Sequence, residues 1–177
     1  KMDGCQYVTI DGRINGTGAP ALTLVADTTT IDKPAALLIT NATFNSVNYL
    51  NLKGATLTNA GAFVSQPTVA PTIGVITISS GVTNLQIDHC NVGPLERIKG
   101  TPTVSIFAQG TASAPSSNIM ISNCNIYDFN ARDMNKCTST PGSGVGVLIL
   151  DYTSNCIVSG NSFYQTYHRR VFANNNN

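Results

Sequence analysis

Asp88 and His89 stand side by side in "LQIDHCNV", and a carboxyl next to an imidazole is the first place to look for acid–base chemistry. A few residues on, "ERIKG" (96 to 100) offers two cations, Arg97 and Lys99. A second set lies in "IYDFNARDMNKC" and "FYQTYHRR", which gather Tyr127, Asp128, Tyr164, Tyr167, His168 and Arg169. Tyrosine rings pair an apolar face with a hydroxyl, and beside Asp and Arg they suit sugar rings and their hydroxyls. Each set also has a plainer account. His89 can serve as a bend residue, Arg97 and Lys99 as solvated loop charges, and the tyrosine segments as loops anchored by Phe129 and Tyr164.

The five cysteines are Cys5, Cys90, Cys124, Cys137 and Cys156, an odd number without CxxC spacing. That pattern argues against a zinc site or a disulfide framework, and no metal or other cofactor is expected. Two short sequons, "NGT" (15 to 17) and "NAT" (41 to 43), carry little weight in a chain so rich in Asn and Thr.

Composition narrows the partners. The 177 residues are 42% hydrophobic and 11% charged, with a net charge of +1, so nothing draws the chain to nucleic acid or anionic lipid. No apolar run nears the roughly 18 residues of a membrane span, and "KMDGCQYVTI" has no signal-peptide core. A soluble, mature or excised piece without membrane insertion is expected.

What positions the candidates is a set of short strands. Val, Ile and Thr cluster between turn residues, and the stretches "SQPTVAPT", "GTPT" and "TSTPGSG" interrupt any helix. The stretches "LNLKGATL", "LQIDHCNV", "IMISNCNI" and "CIVSGNSF", starting at 50, 85, 119 and 156, share one pattern: apolar, any, apolar, two residues, small, any, apolar. Alternate side chains of a strand face opposite ways, so the two-residue step is a corner after which alternation restarts. Lys53-Gly54, Asp88-His89, Ser122-Asn123 and Ser159-Gly160 occupy it, and the second residue is in each case one that accepts positive φ. Before each repeat runs a further strand: "AALLIT", "GVITIS", "TVSIFA" and "GVGVLIL".

Three strands per repeat and no self-sufficient core predict an all-β fold, a right-handed parallel β-helix of about four to five coils forming one domain over 1–177. Residues 1–35 form an irregular edge coil, because Arg13 falls where a small inward residue belongs, and 36–177 form the regular coils. Leu50, Leu85, Ile119 and Cys156 are expected in one inward column, and Ala55, Cys90, Cys124 and Asn161 in the next. Asn161 then needs a hydrogen bond inside. Cys90 and Cys124 stack within disulfide range, with free buried thiols the favoured state and a bridge the alternative. The end "VFANNNN" lacks a capping element, which suggests part of a longer chain.

The stretches "YVTIDGRINGTG", "GTASAPSSNIMISNCNIYDF" and "CIVSGNSFYQT" resemble the β-helix region of large secreted surface proteins of Bacteroidetes, especially flavobacteria. The resemblance implies an adhesin-like module, extracellular or at the cell surface, within a longer multidomain chain, and brings no catalytic motif. Polysaccharide or cell-surface glycan and other domains of the same chain are the partners it implies. Arg-Ile-Lys at 97 to 99 also resembles the substrate-binding triplet of polygalacturonases, but the Gly-His-Gly segment and the paired aspartates of those enzymes are missing. A polysaccharide-cleaving enzyme or a trimeric phage or viral spike are the alternatives.

Overall fold

The computed structural model describes residues 1–26, 35–54, 74–94, 104–129, 145–164 and 169–173. Among these residues there is no helix, and none that could cross a membrane. The chain winds through triplets of strands. The first is β1 (Met2–Asp3), β2 (Thr9–Asp11) and β3 (Leu22–Ala26), and the second β4 (Leu37–Thr40), β5 (Thr43–Asn48) and β6 (Leu50–Gly54). The third is β7 (Gly74–Ser79), β8 (Thr83–Asp88) and β9 (Asn91–Pro94). The fourth is β10 (Val104–Gln109), β11 (Ser116–Ser122) and β12 (Asn125–Tyr127). The fifth is β13 (Val145–Ile149), a second side split into β14 (Thr153–Ser154) and β15 (Ile157–Ser159), and β16 (Ser162–Tyr164), after which β17 (Arg169–Ala173) follows.

Corresponding strands stack in parallel into three sheets. The first runs β1-β4-β7-β10-β13-β17, the second β14-β11-β8-β5-β2 with β15 also on β11, and the third β16-β12-β9-β6-β3. This is a parallel β-helix, as the repeats predict. Its core is a set of apolar columns: Val47, Ile87 and Ile121 from the second sheet, Leu52, Val92 and Ile126 from the third, and Ile39, Ile78, Ala108 and Ile149 from the first, all buried. The four β-rich runs read from the sequence are β4, β7, β10 and β13. β13 is buried at every position, as β7 and β10 are at all but their last, with Phe107 and Leu148 alternating against the inward Ile106 and Val147. Among the described residues the outward polar side chains therefore lie mainly on the second and third sheets.

The corner register holds for three coils and fails for one. His89 (φ 51°), Asn123 (φ 51°) and Gly160 (φ 65°) form the left-handed bend at Asp88-His89, Ser122-Asn123 and Ser159-Gly160. Ile119 stacks on Leu85, with Cys156 next in line, as expected. In the second coil, however, Asn45 and not Leu50 lies opposite Leu85, and the bend falls at Asn48-Tyr49, where Tyr49 has φ 52°. Lys53 and Gly54 are not a corner but the end of β6, paired with Gly93 and Pro94. Leu50 joins the column of Cys90, Cys124 and Asn161, and Ala55, expected there, lies outside the described residues. The physical reason for the slip is that "NSVNYLNL" satisfies the apolar pattern in two phases, while the true first inward residue is a polar Asn and the true bend residue a tyrosine.

Both inward amides are satisfied. Asn161 Nδ2 donates to the Ile121 carbonyl at 2.9 Å and its Oδ1 accepts from the Cys124 amide at 2.8 Å, the bonding expected of it. Asn45 does the equivalent one coil in from the other edge, donating to the Cys5 carbonyl at 3.1 Å and accepting from the Val8 amide at 2.8 Å. Cys90 and Cys124 are free, buried thiols. A contact with Cys90 and burial together push the Cys124 thiol far up, so it stays protonated. Cys137 lies outside the described residues. In the first coil the chain makes an excursion through Arg13 after Gly12 before β3 rejoins the stack with Leu22 opposite Leu50.

Candidate functional site

The third sheet turns alternate residues outward, and its outer face is built of three parallel columns. The middle one is an amide ladder: Asn125 Nδ2 donates to Asn91 Oδ1 and Asn91 Nδ2 to Asn51 Oδ1, both at 2.8 Å, and Asn51 Nδ2 donates to the Pro20 carbonyl at 3.2 Å. Each of these Asn residues directly follows the inward corner residue of its coil, at Leu50, Cys90 and Cys124. A side-chain amide has two N–H groups and two acceptor sites, so the ladder leaves capacity on each amide for a ligand hydroxyl.

One rail beside the ladder holds Lys53, Gly93, Tyr127 and Tyr164 in register. Tyr127 and Tyr164 stack with centroids 5.1 Å apart and planes 8° from parallel. Tyr127 leans across Gly93, where any Cβ would overlap the ring, and meets Lys53. The Lys53 ammonium donates to the Tyr127 hydroxyl and lies 4.8 Å from the ring centroid. Among the described residues Lys53 enters no ion pair. Tyr164 is 44% exposed, and partial burial, with Tyr127 and Asp128 nearby, pushes its hydroxyl pKa up, so it remains a neutral donor. Asp128 follows at the end of the rail with φ 51°, largely buried, its amide reaching the Tyr164 carbonyl at 3.4 Å.

The other rail is the corner itself. The Arg13 guanidinium lies 4.0 Å from the Tyr49 centroid, and Tyr49 stacks on His89 at 4.7 Å, with planes 14° apart. Arg13 is held by Asp11 through Nε at 2.9 Å and Nη2 at 2.5 Å, which keeps the Asp11 carboxyl below its usual range. His89 Nδ1 lies 2.5 Å from Asp88 Oδ2. Burial opposes charge on Asp88, but Ser122 at 2.6 Å, Asn123 at 2.9 Å and His89 outweigh it and hold that carboxyl low as well.

Asp11 and Asp88 share one column with Asn48 between them, two strand spacings or roughly 9 to 10 Å apart. A glycoside-cleaving pair of carboxyls requires one raised in pKa to act as the acid. Here both are lowered. No group of three metal-ligating side chains occurs among the described residues.

Of the residues singled out from the sequence, the structure brings Tyr127, Asp128 and Tyr164 together at the ends of successive third strands. Arg169 begins β17, in the first sheet. Tyr167 and His168, and Arg97 and Lys99, lie outside the described residues. Sequence reasoning missed Lys53, Tyr49, Arg13 and the amide ladder. The signal for the ladder was present in "HCNV" and "NCNI", where Asn follows the corner cysteine, but the slipped second coil hid its third member, Asn51. Comparison with known proteins gave no matching family model, no matching curated protein and no matching solved structure, so the geometry of this face carries the functional argument.

Proposed function

We propose that this chain is a non-catalytic β-helix module of a secreted cell-surface protein, a rigid stalk whose third-sheet face contacts glycans. The observation that carries the reading is the amide ladder Asn51–Asn91–Asn125 bordered by the stacked Tyr127–Tyr164 pair. Aromatic faces accept the C–H side of a sugar ring, and amides pair with its hydroxyls. Lys53 adds a cation for a carboxylate where the sugar carries one. Successive coils repeat these groups about every 4.8 Å, so a linear chain lying along the solenoid axis meets them in turn. Placement outside the cell rests on the sequence resemblance. Weak contacts of this kind gain strength when many copies act together on a surface.

The test is incubation of the chain with pectic, alginate and glycosaminoglycan polymers, followed by binding and by release of reducing ends or unsaturated products. Binding without products is expected, weakened roughly tenfold by Tyr164→Ala, the loss of one aromatic contact. Turnover abolished by changing Asp88 would replace this reading with polysaccharide cleavage, and absence of binding to every polymer would remove the glycan-contacting role.

A further inference from the structure

Donors and acceptors on the third-sheet face do not balance, and the imbalance lies at Lys53. Charge elsewhere on this face is answered within the chain, with the Arg13 guanidinium held by both oxygens of Asp11 and the His89 imidazole beside Asp88. Lys53 differs. Among the described residues it forms no ion pair, and its hydrogen bond goes to a neutral phenol, that of Tyr127. An ammonium has three N–H donors and a phenol one. Because the Tyr127 oxygen accepts from Lys53, its own proton is directed elsewhere, and no acceptor for it stands among the described residues. Lys53 keeps two further N–H groups in the same condition. Tyr164 covers one face of Tyr127, so what that ring presents beside Lys53 is its hydroxyl. Tyr127 reaches this point from two coils away because Gly93, in the coil between, has no side chain.

The pair of donor groups sets the kind of ligand. Two neighbouring groups, one of them charged, match the two oxygens of a carboxylate, and both are half-buried, so salt screens their attraction less than on an open surface. Asn51 lies two residues before Lys53 on β6 and faces outward with it, roughly 7 Å along the strand, a distance one pyranose spans. Asn91, which donates to Asn51, continues the amides one coil on. A sugar with its carboxylate at Lys53 therefore has amides beside its ring hydroxyls. We propose that the glycan held on this face is a uronate, a linear acidic polysaccharide one of whose carboxylates spans the Lys53 ammonium and the Tyr127 hydroxyl. This assignment deepens the glycan-contacting reading and rests on it.

The test uses the full 177-residue chain with hexamers of galacturonate and of mannuronate, each beside its methyl ester, which keeps every hydroxyl and loses only the charge. In titration calorimetry at low salt at least one acid should bind about tenfold or more tighter than its ester, and added salt should shrink the advantage. Lys53→Met keeps the apolar stem and should bring the acid down to the affinity of the ester, which itself stays unchanged. Tyr127→Phe keeps the ring and its stacking on Tyr164, and should weaken the acid several-fold and the ester not at all. Melting temperatures of both variants should match wild type, since each change lies on the outer face. Equal binding of acid and ester by the wild type, or an advantage that survives Lys53→Met, overturns the uronate assignment and leaves the glycan reading standing. A sulfated galactan hexamer that outbinds both acids through Lys53 reassigns the anion and overturns it as well. Failure of every acid and ester to bind also overturns it, and takes the glycan reading with it if glycosaminoglycans fail too.

Discussion

Phe129→Ala is expected to destabilise the solenoid by about 4 kcal/mol, the cost of emptying a well-packed site of a whole phenyl ring. Phe129 is fully buried where the chain leaves the fourth coil, and it meets Phe163 of the fifth edge-on, with centroids 6.5 Å apart and planes at 87°. The contact joins two coils directly, and in a solenoid each coil is stabilised chiefly by its neighbours. Few atoms stand ready to fill the void, because the tip of the ring lies over Gly146 of the fifth coil, which has no side chain to move in. Urea unfolding should show a lower midpoint with an unchanged slope. A loss under about 1 kcal/mol would mean that Phe129 is not packed between the coils.

The second large effect is expected at Asn45. In Asn45→Ala the Val8 amide loses its partner, while the Cys5 carbonyl loses one of two donors and keeps the Thr43 amide; with about 1 to 3 kcal/mol for the unpaired amide, a loss of about 2 kcal/mol is expected. Asn45→Leu separates the two contributions. It restores apolar area to a column that continues with Leu85 and Ile119, yet cannot accept from the Val8 amide. The stability order should therefore be Asn above Leu above Ala, read from denaturant midpoints. If Asn45→Leu were more stable than wild type, the amide would be dispensable and water would be serving the edge coil.

The same residue explains how much of the fold could be read in advance. Alternation and bend residues disclose three of the four aligned corners, because Leu85, Ile87, Ile119 and Ile121 are apolar where they face in and His89, Asn123 and Gly160 belong to types that accept positive φ. The second coil breaks both habits at once, with a buried Asn at its first inward position and a tyrosine at its bend. Periodicity cannot detect an inward amide whose partners are backbone groups of a neighbouring coil. The candidate site was legible to the same degree. Tyr127 and Tyr164 can be found as residues ending equivalent strands, but Lys53 enters their rail only in the observed register, in which Gly93 leaves room for the Tyr127 ring to reach it.

The register of the second coil supports the whole account, since it fixes the amide ladder and the Lys53–Tyr127 contact. Its most direct test is scalar coupling across the corner hydrogen bonds, measured by long-range amide-to-carbonyl NMR. The Tyr49 amide should couple to the Asp88 carbonyl, the His89 amide to that of Ser122, and the Asn123 amide to that of Ser159, as their separations of 3.1, 3.1 and 3.2 Å require. A coupling from the Gly54 amide to the Asp88 carbonyl, with none from Tyr49, would place the corner at Lys53-Gly54 and contradict the account.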